Sequence, residues 1–158
     1  MDDIQFVHLS EIEEEKIIEL MNNEDVGRQM PLIGARFTHE QCSAFLQAKQ
    51  QLWRQHGYGP YAFVIKGEFA GWGGLQPENG EADFALVLHP DFWGWGRKIF
   101  DRIKELAFKQ MELSSFTILF PPGRTNSKAV FRMGFIEDGH LSVNGQVFVR
   151  YRLESPSS

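Results

Sequence analysis

The chain is short of several features that would settle its class at once. It has a single cysteine, Cys42, in 158 residues. That excludes an intrachain disulfide and leaves a buried or simply exposed thiol as the default reading. No apolar run reaches the roughly 20 residues that a membrane-spanning helix needs. The opening MDDIQFVHLS lacks the basic-then-apolar layout of a leader segment. The expectation is a cytoplasmic protein with no membrane partner. Positive charge is also in deficit: 16 Lys and Arg stand against 21 Asp and Glu, a formal charge of −5. This argues against broad nucleic-acid binding, although a local basic patch can survive it. Metal ligands are sparse too. His39 and Cys42 share one expected helix without further partners, so no metal is expected. His8, His56, His89 and His140 are scattered, and no Ser/His/Asp set stands out. There is no repeat and no low-complexity segment.

What is present is ordinary globular material, 42% hydrophobic and 23% charged, long enough for one domain with a real core. That domain is expected over 1–154, with 155–158 as a flexible tail. IQFVHL alternates as a strand does. Ser10 and Glu13 form a capping-box pattern ahead of a helix to about Met21, and Thr38 and Gln41 repeat it ahead of a helix to about Gln55. The segment between, NNEDVGRQMPLIGARF, reads as a loop. YAFVIKGEFAGWGGL is a hairpin about Lys66-Gly67, QPENGEA is a turn, and DFALVL is a central strand. Ile99, Phe100, Ile103, Leu106 and Ala107 share one side of a helix expected from Trp95 to Met111. SFTILF is a further strand. A loop and a short helix stopping at Gly134 follow. Two last strands flank Asn144-Gly145, the strongest short turn signal in the chain. The order implies a mixed sheet with helices packed on it, of α+β or α/β type.

One stretch asks for more than packing. ALVLHPDFWGWGRKIF, from Ala85 to Phe100, ends a strand at Leu88 and opens a helix near Trp95. The first turn of a helix has backbone N–H groups without internal partners, and its dipole favours an anion there. Glycines let a phosphate approach the backbone. Arg97 and Lys98 stand at an end where cations are mildly unfavourable without an anion. A pyrophosphate site accounts for both features. Equally, Gly94 and Gly96 can serve a tight turn while Trp93 and Trp95 pack on the core. The stretch is neither a P-loop nor a dinucleotide fingerprint, because Ile99 stands where a third glycine belongs.

Pro90, Phe92, Trp93, Gly94 and Gly96 resemble the P-x-F-W-G-x-G-x-A form of the acyl-CoA-binding motif in the GNAT superfamily of N-acetyltransferases, RimJ/RimL-like subgroup. GEFAGWGGL resembles that family's third strand, and VFRMGF the end of its fourth helix. Lys98 departs from the usual Gly or Ala. The resemblance implies a GNAT-like α/β sandwich: a mixed, mostly antiparallel sheet of about seven strands flanked by about four helices. It implies acetyl-CoA as cosubstrate. The pantothenate arm would lie between DFALVL and SFTILF, held by Leu86, Val87 and Leu88, with the diphosphate at Trp93, Gly94, Trp95, Gly96, Arg97 and Lys98. The family's usual Asn contact falls at Gly123; either Asn126 takes over that contact, or the helix is a turn shorter. The usual Tyr general acid falls at Val130.

The implied reaction is direct attack of a primary amine, on a small molecule or a protein N-terminus, on the thioester. A backbone N–H near Leu88 would meet the oxyanion, and Asp83 or Glu81 would act as base or order water; as bland alternatives both are solvated strand-edge carboxylates. His89 lies beside the thioester region, where a packing or solvent role competes with proton transfer. Acceptor choice would fall to the 22–37 segment, with Glu24, Asp25 and Arg28, and to the hairpin at Asn144. Trp53, Tyr58 and Tyr61 read as core or rim aromatics. The rival reading is a GNAT-fold module that binds CoA without catalysis, or an interaction domain without a CoA site. The chain is expected to be a monomer or homodimer.

Overall fold

A computed structural model describes residues 3–28, 36–78, 80–121, 127–143 and 145–156. They form one seven-stranded sheet. Its strands are β1 (Ile4–Val7), β2 (Tyr61–Ile65), β3 (Glu68–Glu78), β4 (Glu81–Leu88), β5 (Ser115–Phe120), β6 (Ile136–Val143) and β7 (Gln146–Glu154). The spatial order is β1-β2-β3-β4-β5-β7-β6. The β4–β5 pair is parallel and the other neighbours are antiparallel. The described helices are α1 (Glu14–Met21), α2 (Glu24–Arg28), α3 (His39–His56), α4 (Gly96–Glu105) and α5 (Ser127–Arg132).

Strand alternation sorts the apolar residues into two cores, one on each face of the sheet. On one face Phe84 and Leu88 of β4 pack with Ile99, Phe100 and Ile103 of α4 and with Phe116 and Phe135. On the other, Trp72 of β3 and Ala62 of β2 meet Ile17 and Leu20 of α1, Val26 of α2 and Cys42 of α3. Cys42 is buried there, and desolvation pushes its thiol up, so it is a core residue. The i, i+4 spacing of Ile99 and Ile103 gives α4 its buried stripe. Arg102, on its flank, donates to the Ile4 carbonyl at 2.8 Å and covers the Phe6 ring, which ties α4 to the far edge of the sheet.

Several local expectations change. The first capping box is not at Ser10: Glu11 takes the His8 N–H at 3.0 Å within a 3-10 turn over Leu9–Glu11, and α1 starts at Glu14. At Thr38 the box forms as expected, with Gln41 N–H donating to Oγ1 at 3.2 Å and Thr38 N–H to Gln41 Oε1 at 3.1 Å. The 22–37 segment contains α2, nucleated where the Asn23 side chain accepts from Asp25 and Val26 N–H, so it is not loop throughout. Gln76–Glu78 belongs to β3, not to a turn, because each residue pairs with β4. The expected helix from Trp95 to Met111 begins with a 3-10 turn over Pro90–Trp95 and ends in a widened π turn over Leu106–Gln110.

Candidate active site

The β4–β5 ladder holds only two register pairs, Asp83 with Thr117 and Phe84 with Ile118. Beyond Phe84 the strands part, although β4 runs on to Leu88. The phase of β4 is fixed by one bond, from His89 N–H to the Ala70 carbonyl at 2.8 Å. In an antiparallel ladder hydrogen-bonded pairs alternate, so the odd residues Asp83, Ala85 and Val87 bond toward β3. The even residues Leu86 and Leu88 then turn their backbone groups toward β5, where no strand meets them. Leu86 and Leu88 therefore line an open polar edge inside the sheet, while the Val87 backbone is committed to Trp72 of β3. Such an edge takes up an extended ligand as an added strand does.

Two glycines set this geometry. A Cβ at Gly71 would lie 2.0 Å from the Val87 carbonyl oxygen, and one at Gly73 would lie 2.3 Å from that of Ala85. Their φ values of +159° and +152° aim a Cβ at the facing β4 carbonyls, so only glycine fits at either position.

The helix junction sits directly on the opening. A Cβ at Gly96 would lie 3.5 Å from Leu86 Cδ2 and 3.9 Å from Leu88 Cδ1. Trp93 Nε1 donates to the Leu88 carbonyl at 2.9 Å, so the first tryptophan pins the turn to the strand end. Neither Gly94 nor Gly96 has positive φ, and a Cβ at Gly94 would meet nothing within 4 Å. The tight-turn explanation therefore fails for Gly94: the fold itself would accept a side chain there. The expectation of free amides also changes. Gly96 N–H donates to the Trp93 carbonyl, because the 3-10 turn runs straight into α4 and uses amides that a bare helix start would leave open.

The cations at the junction are gathered around Trp95. Lys98 Nζ lies 4.9 Å over the Trp95 ring and Lys66 Nζ, from the β2–β3 turn, 5.6 Å. Arg97 is tied to Asp101 at 3.1 Å, one turn along α4. His89 accepts from Asp91 N–H at 3.1 Å through Nδ1, which makes it the cap of the turn.

The two carboxylates at the start of β4 have different surroundings. Glu81 meets Arg152 of β7 through both its oxygens; these hydrogen bonds hold its carboxyl below the usual range and raise the guanidinium pKa. Arg152 also reaches Asp138 at 2.9 Å and Ser115 at 2.7 Å, so Glu81 belongs to a network clamping β4, β5, β6 and β7. Asp83 is 9% exposed. Among the described residues its side-chain hydrogen-bond partner is the Thr117 hydroxyl, which donates to Oδ1 at 2.7 Å. Burial pushes the Asp83 carboxyl up to about 7, against the lowering effect of the Thr117 bond, and the nearby Glu78 charge adds to the rise. A carboxylate poised near neutrality is suited to take a proton from an amine.

Asp83 shares its face with Gln76, its register partner on β3. Lys49 of α3 donates to Gln76 Oε1 at 2.5 Å and lies 5.0 Å over the Trp72 ring. Burial pulls the Lys49 ammonium down to about 8, partly offset by Glu78.

Asn126 and Asn144 lie outside the described residues, as does 29–35 of the expected acceptor segment. Val130 is buried in the core with Phe135. Trp53 is held by a bond from Nε1 to the Pro60 carbonyl at 3.0 Å and by the Tyr61 ring. Five residues near the site escaped sequence reasoning: Thr117, Lys66, Gly71, Gly73 and Lys49. A hydroxyl inside the apolar run SFTILF pointed to Thr117, and glycines within a strand pointed to Gly71 and Gly73; no local signal marked the two lysines.

No curated protein matches the sequence. The family described as "Acetyltransferase (GNAT) domain" matches residues 4–135. Among solved structures, a GnaT-family acetyltransferase from Bordetella pertussis superposes with a TM-score of 0.74 at 16% identity, covering 97% of this chain and 96% of that one. An acetyltransferase from Agrobacterium tumefaciens gives 0.74 at 15% identity, covering 96% and 91%. A spermidine N-acetyltransferase variant from Vibrio cholerae gives 0.69 at 16%, covering 96% and 94%. The seven-stranded, mostly antiparallel sheet with helices on both faces is the GNAT α/β sandwich. The chain belongs to the GNAT acetyltransferase family, whose members are acyl-CoA-dependent N-acetyltransferases. Among the described residues no helix is long and apolar enough to cross a membrane, and no group of three or more His, Cys, Asp or Glu is arranged to hold a metal ion.

Proposed function

We propose that the chain transfers acetyl from acetyl-CoA to a primary amine by direct attack, with Asp83 as the base. Acetyl-CoA supplies an activated thioester and a thiol that leaves as a tolerable anion, given a thiol pKa of about 8.5. The parting of β4 from β5 after Phe84 carries the reading. The Leu86 backbone and the Leu88 N–H face the pantetheine arm without a strand partner, the Leu88 carbonyl being held by Trp93 Nε1, and the Leu88 N–H is the donor for the developing oxyanion, worth roughly 3 kcal/mol. The surroundings of Gly94 and Gly96 fit a diphosphate: Gly94 has open space that the fold does not use, and Lys98 and Lys66 stand at the Trp95 ring beside it. Because the Gly96 N–H is spent on the Trp93 carbonyl, these cations and the dipole of α4 take up phosphate charge that this amide would otherwise meet.

An α-amine with a pKa near 8 costs only about 1 kcal/mol to deprotonate at neutral pH, a lysine-like amine about 4–5. Asp83 near 7 serves the first without help and the second at higher pH. Glu81, paired to Arg152 and held ionised, acts as a structural counter-ion and not as the base. Val130 leaves the thiolate without a side-chain acid at the usual family position. The RimJ/RimL-like motif favours a protein N-terminus as acceptor, and the likeness to a spermidine N-acetyltransferase favours a small polyamine. Thiol release from acetyl-CoA over a panel of peptides and small amines decides between them. Binding of acetyl-CoA without thiol release from any amine favours the non-catalytic alternative.

A further inference from the structure

Arg152 of β7 reaches three strands besides its own. Its guanidinium meets both carboxyl oxygens of Glu81 on β4, and donates to Ser115 Oγ on β5 at 2.7 Å and to Asp138 Oδ2 on β6 at 2.9 Å. The side chain is 18% exposed, and the planar fork of an arginine fixes direction where a point charge would not. A bulge aims the partner on β6. The register slips between Glu137 and His140, where Gly139 takes a φ of +84°. Asp138, beside that glycine, also accepts from Arg150 through its carbonyl, at 3.0 Å.

The network sits at the closed end of the opening. β4 and β5 have two register pairs, Asp83 with Thr117 and Phe84 with Ile118. Beyond Phe84 lies the opening. At the other end, at Glu81 and Ser115, the described residues form no register pair, and Arg152 joins the two strands through their side chains. Thr117 is the register partner of Asp83 on β4 and of Arg152 on β7. The three side chains therefore share one face of the sheet. Because the Thr117 hydroxyl bonds Asp83 at 2.7 Å, a shift of β5 against β4 at this end reaches Asp83 directly.

We propose that Arg152 is a positioning residue for acetyl transfer: it draws Glu81 and Ser115 together, closes the end of the β4–β5 ladder away from the opening, and so holds Asp83 against Thr117. This rests on the reading of Asp83 as the base. Arg152 acts through the two strands and not on the reacting atoms.

The test follows the Asp83 carboxyl by carbon-13 NMR titration, together with kcat and acetyl-CoA affinity, in Arg152→Met. The variant keeps an unbranched side chain and removes the donors. Glu81 then stands without its counter-charge two residues from Asp83 on the same strand face, and the Thr117 bond loosens. Both changes oppose ionisation of Asp83, so its midpoint is expected to rise by at least about 0.5 pH unit. The kcat at neutral pH should fall at least about tenfold. The other charges around Asp83 are kept: Glu78 of β3, Arg150 of β7, and Lys49 of α3, which reaches it through Gln76. Acetyl-CoA affinity should stay within about threefold, because Leu86, Leu88 and the α4 junction hold the ligand without Arg152. A variant that is merely less stable keeps the midpoint in its folded molecules. Should Arg152→Met fail to fold, Arg152→Lys keeps the charge but cannot span all three partners, and is expected to give a smaller rise of the same sign. An unmoved midpoint in the folded variant, or a loss of acetyl-CoA affinity in step with kcat, overturns the proposal. Asp83→Asn, run alongside, separates the two readings. If it keeps the wild-type rate, the base assignment has failed and the positioning role falls with it. If it abolishes turnover while the Arg152 variant keeps its kcat, the role of Arg152 alone has failed.

Discussion

Asp83 carries two opposed consequences of its burial, and they can be measured separately. As the proposed base it must be ionised, so the rate is expected to rise with pH through about 7. Asp83→Asn should lower kcat by roughly 10²-fold or more and remove that limb from the pH–rate profile. For stability the sign is reversed. A folded-state pKa raised from 3.8 to about 7 means that the unfolded chain ionises first. The contribution to stability is fully present below pH 4 and is lost as pH rises through about 7. Asp83→Asn should therefore raise the melting temperature at pH 8 while it lowers activity, whereas a substitution that merely damages the fold would lower both. Thr117→Val tests the other half of the pair. Its hydroxyl favours the charged carboxylate, so removing it should move the acid limb to higher pH, as a kcat profile will show. Asp83 was legible as an acid at the start of an apolar strand. Its separation from Glu81 was not, because that depends on Arg152, 71 residues away, which no local pattern reports.

At the scale of elements, the strand–helix junction and the parting of β4 from β5 act together, and glycine substitutions separate stability from binding. Gly94→Val adds a side chain into open space. It should leave the melting temperature within the change of about 0.5 kcal/mol typical of surface sites while weakening acetyl-CoA at least about tenfold through lost close approach. Gly73→Ala places a Cβ 2.3 Å from the Ala85 oxygen. It must push β4 off β3, with an expected loss of about 1–3 kcal/mol or more together with acetyl-CoA affinity. Paired melting curves and titrations check both. Much of this level was legible: the hairpin at Lys66-Gly67, the central strand and the α3 capping box follow from local chemistry. The failures have two causes. Ser10 lost its cap to a competing local turn made by His8 and Glu11, and Trp93 anchors the turn after Pro90 to Leu88, five residues back. Gln76–Glu78 was drawn into β3 by pairing with β4, where strand pairing outweighed turn propensity.

On the scale of the whole molecule, one sheet separates two cores, and its central strand belongs to both the fold and the site. Ligand binding at β4 should therefore be felt globally. At a hundred times its dissociation constant, acetyl-CoA is expected to stabilise the folded chain by about 2.7 kcal/mol, visible as a rise in melting temperature. The sheet class was legible from the order of elements. The departure of β5 from β4 was legible only through resemblance, because DFALVL and SFTILF contain nothing that marks where pairing stops. The most direct measurement of the central claim is amide hydrogen exchange at Leu86 and Leu88, followed by NMR with and without saturating acetyl-CoA. Exchange at both amides should slow markedly when the ligand takes up the unpaired edge of β4. Unchanged exchange at these two residues, with acetyl-CoA bound, would contradict it.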